Sequence, residues 1–144
     1  MAAKPTPAVQ SVAVDSDGVS QWFGDYLDAF AACGRGERGT DSLLAYYGVP
    51  LLLTTDGGLF ALTSADQVVA AVQPQIEGMR AAGYARSEML NAEITALNAA
   101  SALYRGTFSY HRSDGGEIRR VTLTYLVTDG PGGRRISALA VHSP

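Results

Sequence analysis

Apolar residues recur at helical spacing through Val19, Trp22, Phe23, Tyr26, Leu27 and Phe30, so an amphipathic helix is expected to open the folded chain. Ser16 and Asp17 stand where a cap belongs, and Gly34 stands where the helix should stop. A polar, glycine-rich link over residues 35–39 leads to Thr40, which can cap a short second helix through Leu43, Leu44 and Tyr47 until Gly48 and Pro50 end it. Residues 49–55 form an apolar run that stops at Asp56-Gly57-Gly58, a turn signal, and residues 59–63 resume an extended pattern, which together predict a small hairpin. Ser64-Ala65-Asp66-Gln67 has capping-box spacing, and Val68, Val69, Val72, Ile76 and Met79 carry one apolar face of a third helix as far as Gly83. Pro74 inside that helix removes a backbone hydrogen bond, so a kink or two shorter helices are expected.

From Tyr84 onward the period changes to alternation. Turn signals at residues 98–101, 113–116 and 129–133 divide the remainder into four strands, expected to pair as an antiparallel meander. The expected fold is therefore α+β, three N-terminal helices packed on a curved, mainly antiparallel sheet. Residues 1–15 hold two prolines and no sustained periodicity, so they are read as a flexible N-terminal arm, with residues 16–144 as a single domain. No repeat or low-complexity segment interrupts it.

A chain of 144 residues that is 47% apolar and 17% charged has enough apolar surface for one core. Its net charge of −3 gives no basic footprint, and the pairs Arg119-Arg120 and Arg134-Arg135 are too few to track a phosphate backbone, so no nucleic-acid partner is expected. No stretch has the length of a membrane span, and the first ten residues lack the apolar run of a secretory signal, so a cytoplasmic location without a membrane partner is expected. Cys33, the single cysteine, has no internal partner and reads as a small buried residue. With two distant histidines and no clustered carboxylates, no metal site is expected. The glycine-rich pieces lack the ending of a phosphate loop, and no cofactor is expected.

The aromatic first helix Trp22-Phe23-(x)2-Tyr26-(x)3-Phe30, the helix-then-strand segment 43–55, Ala102 at a strand start, the Asp114-Gly115-Gly116 hairpin and Tyr125 before the last turn follow a familiar order. Over residues 16–142 that order resembles the NTF2-like superfamily, also called SnoaL-like or cystatin-like α+β. The resemblance implies a cone in which a curved sheet wraps around helices and leaves a pocket open at one end. Its members include steroid isomerases, polyketide cyclases, epoxide hydrolases, dehydratases and proteins that bind without catalysing. In the steroid-isomerase branch, Tyr26 would match an oxyanion-hole donor and Asp56 would fall near the general base. The second acid of that branch is replaced by Leu123, with Thr124 beside it, so half of the oxyanion hole is missing, a loss that costs about 100 to 1,000-fold in rate.

Strand alternation places Ala102, Tyr104, Gly106, Phe108 and Tyr110 on one face, together with Val121, Leu123, Tyr125 and Val127. Small residues expected on the same inner side, among them Ala92, Ala96, Ala138 and Ala140, leave room for a pocket. Its expected walls are Trp22 and Phe30 from the first helix, Leu52 and Thr54 from the first strand, and Tyr104, Phe108, Tyr110, Leu123 and Tyr125 from the long strands. His111 falls on the outer face at a hairpin end, and Asp28 is a weaker alternative to Asp56 as an acid.

Two functions fit this pattern. One is a pocket protein binding a small hydrophobic molecule; the other is a small pocket enzyme of isomerase, cyclase, dehydratase or epoxide-hydrolase type using Asp56 as base and Tyr26 as hydrogen-bond donor. The outer sheet face, read as Thr107, Thr122, Thr124, Leu126, Leu139 and Val141, is poor in charge and is expected to form a homodimer.

Overall fold

The computed structural model describes residues 13–144. Most of the expected N-terminal arm lies outside them. The order is α1 (Ser16–Gly34), a short 3-10 helix (Thr40–Ala45), β1 (Tyr47–Thr55), β2 (Gly58–Leu62), α2 (Ala65–Ala81), β3 (Tyr84–Asn98), β4 (Ser101–Arg112), β5 (Glu117–Gly130) and β6 (Gly133–Val141). The six strands form one curved sheet in the order β2-β1-β6-β5-β4-β3. All neighbours are antiparallel except β1 and β6, which run parallel.

Helix α1 is capped one residue earlier than the sequence implies: Asp15 accepts from the Asp17 N–H at 3.1 Å. Its last glycine is a packing requirement, since a Cβ on Gly34 would lie 2.8 Å from both the Met79 methyl and the Tyr84 ring. Close approach here seats α1 against α2 and the start of β3. Helix α2 begins at Ser64, whose hydroxyl accepts from the Gln67 N–H at 3.2 Å, while the Gln67 carboxamide reaches back to the Thr63 N–H at 2.7 Å. Pro74 does not divide it. A single helix runs through the proline, with Val68 and Val72 before it and Ile76 and Met79 after it buried on the same core.

Phe23, fully buried, stacks on Tyr104 at 3.8 Å between centroids and meets Tyr125 edge-on at 4.6 Å. Aromatic pairs of this kind contribute about 0.5–1.5 kcal/mol each beyond their buried area. They fix the first helix across β4 and β5. Cys33 is buried and directs its thiol to the Gly39 carbonyl at 3.4 Å.

The inner faces of β4 and β5 fall where alternation puts them: Ala102, Tyr104, Phe108, Tyr110, Val121, Leu123, Tyr125 and Val127 are all buried. On β6 the faces are reversed. Ile136 pairs with Val127, but an irregularity follows, and Ala138 then pairs with Leu126 while Leu139 pairs with Tyr125 and Val141 with Leu123. One extra residue in a strand turns every later side chain over. Leu139 and Val141, expected outside, therefore face the helices, and Ala138 and Ala140, expected inside, face outward. Strand β1 is likewise out of phase with expectation, because Leu52 partners Ala138 and Thr54 partners Ala140 on the outer side. Leu52 is 44% exposed and the neighbouring Leu51 only 1%. Ala92 and Ala96, on the edge strand β3, are exposed.

Candidate functional site

The inner face of the sheet and the two α-helices enclose a cavity of about 560 Å³. That volume lies within the ordinary range for small-molecule sites. Helix α1 contributes Tyr26, Leu27 and Phe30, because the i, i+3, i+4 spacing that makes it amphipathic aims these side chains at the sheet. Strand β1 contributes Tyr47, Leu53 and Thr55, and helix α2 contributes Ala71, Val72 and Gln75. The meander completes the wall with Phe108, Tyr110, Leu123, Tyr125, Leu139 and Val141.

Of the expected pocket residues, Phe30, Phe108, Tyr110, Leu123 and Tyr125 line this cavity together with Tyr26. Four others do not. Trp22 packs edge-on against Tyr46 at 5.6 Å, on the flank of α1 away from the cavity, and Tyr104 is consumed by its stack on Phe23. Leu52 and Thr54 are on the outer side of β1, while Leu53 and Thr55 take the inward positions. The run Leu51-Leu52-Leu53 is apolar throughout, so alternation offers no phase by which to choose.

Asp56 lies outside the cavity. It is exposed in the β1–β2 turn, where its carboxylate accepts from the Ser143 hydroxyl at 2.5 Å. The turn contact expected of an aspartate is made instead by Thr55, whose hydroxyl accepts from the Gly57 N–H at 3.0 Å. Asp28 does line the cavity, at an exposed position on α1, with Arg35 about two helical turns further on at the C-cap. Arg35 is held by Glu37 through two contacts of 3.0 Å, an interaction that keeps the Glu37 carboxyl below its ordinary value.

The polar focus of the wall is a contact that sequence reasoning missed: the Tyr26 and Tyr47 hydroxyls lie 2.7 Å apart, both side chains buried. The sequence pattern puts Tyr47 at the end of a short helix. It instead opens β1, opposite Ile136 of β6, and points inward. Tyr125 approaches Tyr26 with ring centroids 5.9 Å apart. Burial pushes the Tyr26, Tyr47 and Tyr125 phenols well above their ordinary value, and Tyr110 is pushed up to about 12 for the same reason. All four are neutral hydrogen-bond donors at physiological pH. Among the described residues no group of three or more His, Cys, Asp or Glu side chains is placed to hold a metal ion. His111 makes its contacts on the outer face, with the Ser109 hydroxyl at 2.9 Å and Glu88 at 3.5 Å.

A helix-backed, curved sheet with a pocket between its layers, at this chain length, defines a class, the NTF2-like proteins. The chain belongs to the NTF2-like family DUF6841, whose family model matches residues 15–144. A comparison with curated proteins finds no match. Solved structures of the same fold include an NTF2-like protein of unknown function from Shewanella oneidensis, with 18% identity over 89% of this chain and 98% of that one and a TM-score of 0.66. Another is an NTF2-like protein with a cystatin-like fold from Novosphingobium aromaticivorans, with 14% identity over 88% and 80% of the two chains and a TM-score of 0.66. A third is a putative calcium/calmodulin-dependent protein kinase II association domain from Xanthomonas campestris, with 14% identity, 90% and 88% coverage and a TM-score of 0.65. At these identities the likeness is one of fold. Among the described residues no helix is long and apolar enough to cross a membrane.

Proposed function

We propose that this chain is a pocket protein that binds a small hydrophobic molecule, anchored by the hydroxyl pair of Tyr26 and Tyr47. The observation that carries the reading is the 2.7 Å contact between those hydroxyls at the wall of a mainly apolar cavity. Within such a pair one proton is used between the two oxygens. The other remains available to a carbonyl or hydroxyl of the ligand, in surroundings where burial makes each hydrogen bond count for more. The pocket-enzyme alternative loses Asp56 as its base, since that carboxylate is exposed in a turn, and Asp28 borders the cavity only from an exposed position, so binding is the reading the wall favours.

A matched pair of probes tests the anchor: 2-acetylnaphthalene, which carries a carbonyl, and 2-ethylnaphthalene, which has nearly the same shape without it. The wild-type chain should prefer the ketone by about tenfold, the value of one buried hydrogen bond. The double variant Tyr26→Phe/Tyr47→Phe removes both hydroxyls, leaving neither unpaired, and should bind the two probes equally. A ketone preference that survives the double variant rejects the anchor.

A homodimer through the outer face of the sheet and a cytoplasmic location belong to the same proposal. The first is supported by threonine hydroxyls that satisfy one another, Thr107 with Thr122 at 2.8 Å, or a histidine, Thr124 with His142 at 2.7 Å, and so need no water on that face. Fractionation of cells expressing the native gene decides the second.

A further inference from the structure

A second cavity of about 400 Å³ lies between α2 and the sheet, directly against the first. Gln75, Tyr110, Leu123 and Val141 line both, so the two cavities adjoin along these side chains. On the helix side, Pro74 and Gly78 leave the space open; a Cβ placed on Gly78 would meet nothing within 4 Å. The proline that interrupts the sequence pattern of α2 thus coincides with a chamber.

One charged residue lines this chamber, Arg119. The alternation that buries Val121, Leu123 and Tyr125 carries Arg119 to the same face of β5, and its cross-strand partner is Tyr110. The guanidinium is close enough to the Tyr110 phenol for its charge to act against the rise that burial imposes there. No carboxylate lies within 4 Å of Arg119 among the described residues, whereas its neighbour Arg120 is paired with Glu117 at 3.2 Å. Adjacent arginines on opposite faces of one strand therefore differ: the outer one is matched and the inner one is open.

We infer that the second cavity receives the carboxylate end of an amphipathic ligand, with Arg119 pairing that carboxylate while the apolar body passes Tyr110 and Leu123 into the main cavity. Arg119 stands exposed at the rim of the chamber, where its planar guanidinium can match a carboxylate through two parallel hydrogen bonds while the apolar body lies inside. The Gln75 carboxamide and the Tyr110 hydroxyl, shared by both chambers, add neutral donors along the route. The inference rests on the pocket reading and names the class of its ligand.

Displacement of Nile red, a neutral apolar dye, by decanoate and by decan-1-ol separates the two levels. In the wild-type chain decanoate should displace the dye at about a tenfold lower concentration than the alcohol, the strength of one charge-assisted contact. Arg119→Gln should bring the two curves together by weakening decanoate alone, and Arg120→Gln should leave both unchanged. Equal curves in the wild type, or a decanoate curve indifferent to Arg119→Gln, overturn the carboxylate assignment while leaving the pocket standing. Failure of the dye to bind at all removes the pocket reading and this inference with it.

Discussion

Tyr26, Tyr47, Tyr110 and Tyr125 share one cavity wall, and burial raises the pKa of each. Each phenol therefore holds its proton more tightly in the folded chain than in the unfolded one. The sign follows directly: the stabilisation is fully present below about pH 10, where an unfolded phenol is still neutral, and is lost as pH rises through the folded values, near 12 for Tyr110. Of the seven tyrosines in the sequence, these four should ionise only as the fold opens. An alkaline titration that follows tyrosinate absorbance beside far-ultraviolet circular dichroism checks it. Part of the absorbance should rise in step with the loss of ellipticity; seven phenols titrating together near pH 10 with ellipticity intact would contradict the burial. Tyr26 was legible as a wall residue because it sits on a helical stripe. Tyr47 was not, because Tyr46-Tyr47-Gly48 reads equally well as the end of a helix or the start of a strand.

Among the elements, β4 and β5 were legible to the residue because each alternates strictly and carries large inner side chains. Strand β6 was not, since an irregularity after Ile136 reverses its faces, and nothing in Ser137-Ala138-Leu139-Ala140-Val141 marks the extra residue. The corrected phase alters the outer surface. Leu139 and Val141 leave it, and a row formed by Leu52, Ala138, Leu126 and Leu103 crosses four adjacent strands. The proposed homodimer is therefore centred on Leu126 and not on Val141. Leu126→Glu should convert a dimer to a monomer by light scattering at micromolar concentration, because an unpaired carboxylate in a buried contact is costly. A wild-type chain that scatters as a monomer contradicts the dimer. Asp56 illustrates the remaining gap: its place before Gly57-Gly58 located the turn correctly, but sequence spacing holds no information about which way a turn faces relative to a cavity.

At the scale of the whole molecule, two helices and a curved sheet close around space instead of filling it. Phe23, Tyr104 and Tyr125 pack one part of the interior by stacking, while Ala31 and Ala71, small residues at the walls contributed by α1 and α2, leave the remainder open. Filling that space without disturbing the stack decides whether the cavity is where a ligand binds. The measurement is saturation binding of Nile red to the wild type and to Ala71→Trp, with Ala31→Trp as a second obstruction from the facing helix and thermal unfolding recorded for each. Both alanines are only partly buried, so a larger side chain can enter the cavity from its rim. One saturable site is expected in the wild type, with its loss in both variants and cooperative unfolding retained; undiminished binding in folded Ala71→Trp and Ala31→Trp chains would rule out a cavity that binds.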